Sequence, residues 1–398
     1  MIEILILSLL GILAGTFTGL APGIHINLIA SFLVTILPKF QFISPISAIS
    51  FIVSMSITHV FLDFIPSIYL GVPEEDTFLS ILPGHEMLIQ GKAQEALLYT
   101  FLGAFGGVIV SILISPIYLL LLPKFYPIIK QIIPYILIIV SVYLIFREER
   151  TISGIIVFFL SGFLGLISFN LPLNNPLLPL LTGLFGVSSL ILSIKQKTSI
   201  PKQIPLILSK IQINKLESLK TLSLISLISP FFSFLPGLGS GHPALIASEI
   251  KETSQKQFLL LQGASSSIIM TLSFLALFAI NKTRSGSAAA IQQILPAITL
   301  NIVMIILLIS FITAIIAFFL GLFLSKYFSK IFIKINYQFL SIAIIFFLII
   351  ITFFFSGILG ILILLTGTSI GLFTLYSNSR RANLMGSLIL PVILYYLT

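Results

Sequence analysis

Residues 224–250 read LISLISPFFSFLPGLGSGHPALIASEI. Apolar residues run into Pro236-Gly237, pass a Gly-Ser-Gly turn, and resume after Pro243. Proline removes a backbone donor and clashes with the preceding turn, and glycine loosens the chain. A second such segment, GILAGTFTGLAPGIHINLIASFLVTILP at 11–38, breaks at Pro22-Gly23. The two breaks lie 214 residues apart. At nearly the same offset, GVPEEDT (71–77) in the first half matches TRSGSAA (283–289) in the second. The register of two landmarks predicts two repeats, and an odd number of spans between them predicts inverted topology.

The setting is a membrane. Of 398 residues, 58% are hydrophobic and 8% charged, against about 45–50% and 25% in soluble domains. Long apolar runs without ten-residue alternation predict an all-α polytopic bundle and not a barrel. Spans are expected near 45–69, 94–122, 131–146, 152–169 and 176–193, then near 257–280, 298–325, 338–356, 358–376 and 382–397. The expected organisation is a first membrane repeat (1–193, opening with a re-entrant hairpin at 1–38), a basic linker (194–220), and a second repeat (221–398, opening with a hairpin at 221–250). The linker carries Lys195, Lys197, Lys202, Lys210, Lys215 and Lys220 against Glu217 alone, which places it in the cytoplasm. Five spans on either side then put both termini outside a plasma membrane. FREER (146–150), SKYFSKIFIK (325–334) and SRR (379–381) fall inside with the linker, while Lys124 and Lys130 fall outside. The N-terminus lacks a basic leader and a cleavage motif and reads as a retained segment.

The net charge of +9 reflects cytoplasmic loops and calls for no nucleic acid. With no cysteine there is no disulfide or thiolate metal site. The histidines at 25, 59, 85 and 242 lack metalloprotease spacing. GLGSGHP has no strand-turn-helix setting for a serine nucleophile, nor the Gly-Lys-Ser/Thr of a phosphate loop. No enzyme, metal or cofactor is expected.

Inside lipid, each freed backbone group costs several kcal/mol unless protein or water satisfies it. The breaks therefore predict a shielded site. Gly239, Ser240 and Gly241 precede a helix starting at Pro243, whose unpaired N–H groups and positive dipole end attract anions. Gly23, with His25 and Asn27, offers a similar geometry. The substrate-binding candidates are Pro22, Gly23, His25, Asn27, Pro236, Gly237, Gly239, Ser240, Gly241, His242 and Arg284, whose guanidinium fork suits a carboxylate or phosphate. His59 and Asp63 stand one turn apart on one span face. With Glu74, Glu75 and Asp76 they are candidates for handling a coupling Na+ or H+. A surface helix start would equally explain Pro73 followed by three acids.

Four blocks, GTFTGLAPGIHIN (15–27), LGVPEEDTFLSILPGHEMLIQGKAQEAL (70–97), FLPGLGSGHPALIASE (234–249) and SSSIIMTLSFLALFAINKTRSG (265–286), resemble the TctA family, the large permease subunit of tripartite tricarboxylate transporters. The shorter, stand-alone archaeal branch is the nearer likeness. The resemblance implies a permease of two pseudo-symmetric halves with ion-driven uptake of carboxylates. Two departures stand out. The chain is shorter than bacterial permeases, which leaves open their small membrane subunit, their extracytoplasmic binding protein and a homodimer. INKTRSGS also replaces a Gly-Ile-Pro-Gly-like loop, which leaves the anion open. The first expectation is a secondary transporter for a small anionic solute, its partners being that solute and membrane lipid. The alternatives are a translocase (flippase) of a polyprenyl-phosphate-type lipid and a non-transporting scaffold.

Overall fold

A computed structural model describes residues 2–21, 26, 30, 43–70, 81–146, 148, 150–173, 176–195, 201–206, 214–235, 239–282, 284–332 and 337–397. Its helices are α1 (Ile2–Leu20), α2 (Pro45–Leu62), α3 (Phe64–Leu70), α4 (Ile81–Ile89), α5 (Ala93–Phe146) and α6 (Thr151–Asn170). Next come α7 (Leu177–Leu181), a π-helical turn (Thr182–Val187), α8 (Ser188–Lys195), α9 (Lys215–Phe232), α10 (Gly241–Ile250) and α11 (Gln255–Ile280). The chain closes with α12 (Gly286–Ile294), α13 (Leu300–Phe332), α14 (Tyr337–Tyr376) and α15 (Gly386–Leu397). Among the described residues there is no strand, and seven helices are long and apolar enough to cross a membrane. Shorter apolar helices lie at Pro134–Tyr143, Leu177–Leu192 and Arg381–Leu397.

Lipid tails give helices no hydrophobic reason to associate, so close packing and interhelical hydrogen bonds must do it. Glycines allow the approach. Gly11, Gly15 and Gly19 form one stripe of α1 against α2, where a Cβ at Gly15 would lie 2.4 Å from the Met55 carbonyl oxygen. Gly103 and Gly107 of α5 meet α11 in the same way, and a Cβ at Gly263 would lie 2.0 Å from the Thr100 oxygen. The two most enclosed spans, α2 with α3 and α11, are wrapped by these neighbours, whereas α14 leaves most of its surface to lipid.

The contacts also fix direction. Residues 201–206 define one face of the bundle. Gln203 Oε1 accepts from Ala93 N at 3.1 Å, and Gln94 Oε1 accepts from Leu206 N at 2.7 Å. Gln94 Nε2 donates to Ser329 Oγ at 2.5 Å. At the start of α11, Lys256 pairs with Glu95 at 2.5 Å. Thus α5 and α11 start at the linker face and α13 ends there. α2 runs with α13, as Ser54 pairs with Thr313 at 3.2 Å and Tyr69 reaches the Ser325 oxygen at 3.3 Å. α1 runs with α2, and Glu3 accepts from Ser44 N at 2.8 Å where both begin, on the opposite face. α9 runs with α11, with contacts Ser218–Gln257 (3.5 Å) and Ser229–Ser265 (3.3 Å). The α1–α2 pair therefore runs opposite to the α9–α11 pair.

One continuous helix, α5, holds two of the expected spans. Its first residues touch the linker, and the region past its end packs against the turn before α15. Glu148 accepts from Arg380 N at 2.8 Å and from Asn383 Nδ2 at 2.7 Å, and Arg380 reaches Glu249 beside the start of α11. Its middle lies across the bundle, where Tyr118 and Ser233 are 2.6 Å apart and Tyr126 packs edge-on against Phe234. The helix thus doubles back over a stretch containing Pro116, Pro123, Pro127 and Pro134, residues that break the interior hydrogen-bond ladder. In α14, Gly357 takes a positive φ of 62° between the spans expected at 338–356 and 358–376.

The glycine contacts give a graded test. Gly263→Ala drives a methyl into backbone and should destabilise by about 1–3 kcal/mol. Gly106→Ala meets only the Leu222 side chain, 3.0 Å away, and should be neutral or slightly stabilising, since Ala is the better helix former. Thermal unfolding in detergent measures both, and equal effects would refute the close-approach account.

Candidate functional site

The interior faces of α2 and α11 are polar. Ser47, Ser50, Ser54, Ser56, Thr58 and His59 are buried along the first, with Ser67 following on α3, and Gln262, Ser265, Ser266, Ser267, Thr271 and Ser273 along the second. A hydroxyl inside hydrocarbon must find a partner, so each pair fixes a helix contact.

Two helices start inside this region. The chain entering α10 packs on α11: Ser240 Oγ is 2.7 Å from Ser266 Oγ, the Ser240 carbonyl accepts from Ser265 at 2.8 Å, and Gln262 Nε2 donates to Ser240 Oγ at 3.4 Å. Ser240 makes no side-chain capping bond to the α10 amides. His242 holds the turn through Nδ1 to the Gly239 carbonyl at 3.0 Å and stacks on Phe232. Ser266 lies about 16 Å along α11 from its start at 1.5 Å per residue, near the middle of a hydrocarbon layer of about 30 Å.

The chain entering α12 goes equally deep. Ser287 Oγ is 2.9 Å from Ser56 Oγ, itself about 16 Å along α2 from Pro45. Ser285 caps Ala288 N at 3.2 Å and lies 3.4 Å from Ser273. Ser266 and Ser273 are two turns apart on one face of α11, so the two helix starts meet that face about 10 Å apart. Arg284, half-buried, stands immediately before the α12 cap.

The third cluster sits where α1 ends. His59 Nδ1 is 3.1 Å from Thr18 Oγ1, and His59 Nε2 is 4.0 Å from Asp63 Oδ2, with both residues buried. The expected one-turn pair is therefore inside the bundle. Asp63 caps α2 through its backbone N–H to the His59 oxygen.

Gly239, Ser240, Gly241 and His242 thus gather against α11, Arg284 adjoins the second deep helix start, and His59 with Asp63 lines α2. Pro22, Gly23, His25, Asn27, Glu74, Glu75, Asp76, Pro236 and Gly237 lie outside the described residues. The partners overlooked in the sequence are hydroxyls: Thr18, Ser56, Ser266, Ser273, Ser285 and Ser287. Their signal was available, since serines recur inside otherwise apolar spans. Among the described residues no three His, Asp or Glu side chains group to hold a metal ion.

Seven long apolar helices around a polar, hydroxyl-lined interior define a multi-pass membrane protein. The family comparison gives the particular group. The model of the tripartite tricarboxylate transporter TctA family matches residues 5–386, and the chain belongs to that family. It is a permease of tricarboxylate-transporter type and not an enzyme. An uncharacterized protein of Methanocaldococcus jannaschii is 36% identical over 405 residues, covering 99% of each chain. No solved structure matches. The family is that of a transporter subunit that acts with other components and binds anionic solutes, and it gives no support to a lipid-phosphate translocase.

Two outcomes are expected. A double-mutant cycle of Ser56→Ala and Ser287→Ala, read by thermal unfolding, should give a coupling of about 0.5–1.5 kcal/mol; zero coupling would separate α12 from α2. The second concerns His85, on α4 beside the Ile68 carbonyl. Burial, reinforced by the charge of Arg381, lowers its imidazole to about 4. The unfolded chain then takes up a proton below about pH 6.5 that the folded chain refuses. Stability should fall as pH drops from about 6.5 to about 4, by at most ~3 kcal/mol, and His85→Gln should flatten that slope.

Proposed function

We propose that this chain is a secondary-active permease for a small carboxylate, driven by a Na+ or H+ gradient. The observation that carries the reading is the pair of helix starts, α10 and α12, meeting one face of α11 at mid-depth. Helix N-termini attract carboxylates without costly buried cations, and substrates of secondary transporters bind near the midplane at discontinuous helices. Arg284 supplies a fork of donors beside the second start. The buried His59–Asp63 pair is the group suited to exchange a proton or bind Na+, with Glu74, Glu75 and Asp76 completing the ion-handling set. Pro22, Gly23, His25, Asn27, Pro236 and Gly237 would shape the two breaks facing the ligand.

The halves 1–193 and 221–398 are read as inverted repeats. Opposite directions of α1–α2 and α9–α11 support this, as does reciprocal packing: α2 lies on α13 of the other half and α11 on α5 of the other half. Ser329 bonds to Gln94, which also holds Leu206 of the linker, and Arg380 joins Glu148 to Glu249, just before the start of α11. The positive-inside rule then puts this face in the cytoplasm and both termini outside.

Uptake into proteoliposomes decides the matter. A panel of mono-, di- and tricarboxylates is offered with and without Na+ or pH gradients. Gradient-dependent uptake of at least one acid is expected, and none at all would sink the proposal. Arg284→Gln should cut uptake by about 10–100-fold, the loss of a charge-assisted hydrogen bond. Asp63→Asn should abolish the response to the coupling gradient.

A further inference from the structure

The chain between α11 and α12 dips into the bundle and returns. α11 ends at the face opposite the linker, where Asn281, at φ 50°, caps it in the left-handed conformation. Further on, Ser285 lies 3.4 Å from Ser273, about 12 Å back down α11 at 1.5 Å per residue. α12 then climbs again, and Gln292 donates to Asn281 Oδ1 at 2.7 Å, closing the hairpin at its rim. Polar groups follow one another in order of depth. Lys282 is exposed beside the rim, Arg284 is half-buried, and Ser285 and Ser287 reach the buried hydroxyls of Ser273 and Ser56.

Lys282 enters no ion pair among the described residues. The same face carries other cations. Lys124 and Lys130 are exposed on the bend of α5, whose Tyr118 and Tyr126 meet Ser233 and Phe234 past the far end of α9. Among the described residues the acid placed on this face is Glu3, and the Ser44 amide engages it. The positive-inside pattern thins lysine from the outer face of a membrane protein, so topology does not account for these lysines. A cation at a low-dielectric mouth concentrates anions there and speeds their capture. The hydrated, flexible ammonium of lysine suits brief capture, and the rigid fork of arginine suits holding. We infer that the anionic solute enters from the face opposite the linker along this hairpin, with Lys282 as its steering residue. Lys282 draws the anion out of water and passes it to Arg284, Ser285 and Ser287 below. The inference rests on the permease reading and adds to it the side and the lane of entry.

The absence of cysteine from the sequence permits a test that needs no transport. Gln293→Cys puts a single thiol on the exposed surface of α12 next to Gln292. Its modification by an anionic reagent (sulfonatoethyl methanethiosulfonate) and by a cationic one (the trimethylammonioethyl analogue) is timed on the full chain in phosphatidylcholine liposomes, at low and high salt. Lys282→Gln should lower the anionic-to-cationic rate ratio by about three-fold at ~20 mM salt and leave it unchanged at ~500 mM, where charges are screened beyond about 4 Å. In uptake, Lys282→Gln should raise KM by about 3–10-fold at low salt with kcat unchanged, and Lys282→Arg should keep the parent KM. An unchanged thiol ratio in Lys282→Gln overturns the inference. So does a loss of uptake that falls on kcat or is equal at both salt concentrations, since that marks Lys282 as structural. A KM effect seen only when phosphatidylglycerol is present assigns the lysine to a lipid headgroup and overturns it too. Uptake of no acid at all is the failure of the permease reading, whereas an unchanged thiol ratio with uptake intact is the failure of this inference alone.

Discussion

A helix that starts halfway through a membrane leaves amide N–H groups where no water waits for them. Two helices of this protein do so, and much of the bundle serves to make that tolerable. Serines on α2 and α11 meet the incoming chain at Ser240, Ser285 and Ser287. Those serines can reach only because the helices carrying them are clasped from behind. Gly15 and Gly263 bring α1 onto α2 and α11 onto α5 at backbone distance. Hydroxyl pairing and glycine packing are thus one device: the glycines supply proximity, and the hydroxyls spend it on holding the interrupted chain.

On the proposed function, the same geometry suits a negative solute. At these starts the His242 amide donates to the Gly239 carbonyl, Pro243 has no N–H, and Ser285 takes the Ala288 amide; on the proposed function, hydroxyls that rotate would turn donors to the ligand. Among the described residues the nearby charges are few and separately placed. Arg284 stands beside one helix start, and His59 with Asp63 stands on another helix toward the linker face. On the proposed function, that separation gives anion and driving ion distinct seats whose occupancy can be linked.

Much of the architecture could be read from residues alone. Continuous apolar runs and scarce charge announced a helical membrane protein; against the ten expected spans, seven helices among the described residues are long and apolar enough to cross. The α5 prolines are instructive: separate spans at 94–122 and 131–146 anticipated where a continuous helix doubles back. Of the site, the turn at Gly239–His242 and the pair His59–Asp63 were legible, because Pro-Gly and an i, i+4 acid–imidazole pair are local patterns. The depth of α12 was not. It follows from Ser56 meeting Ser287 across 231 positions of sequence, and serine is too common for one such pairing to be foreseen.

The packing of α2 on α13 and of α11 on α5 has an evolutionary consequence. A chain stopping at the linker would keep its serine-rich helix but lose the neighbour that covers it from the second half. On the proposed reading of the halves as inverted repeats, such a half-length ancestor would bury those serines against another copy of itself, inserted the other way up. Duplication and fusion would then have made permanent a partnership first formed between separate molecules of opposite orientation.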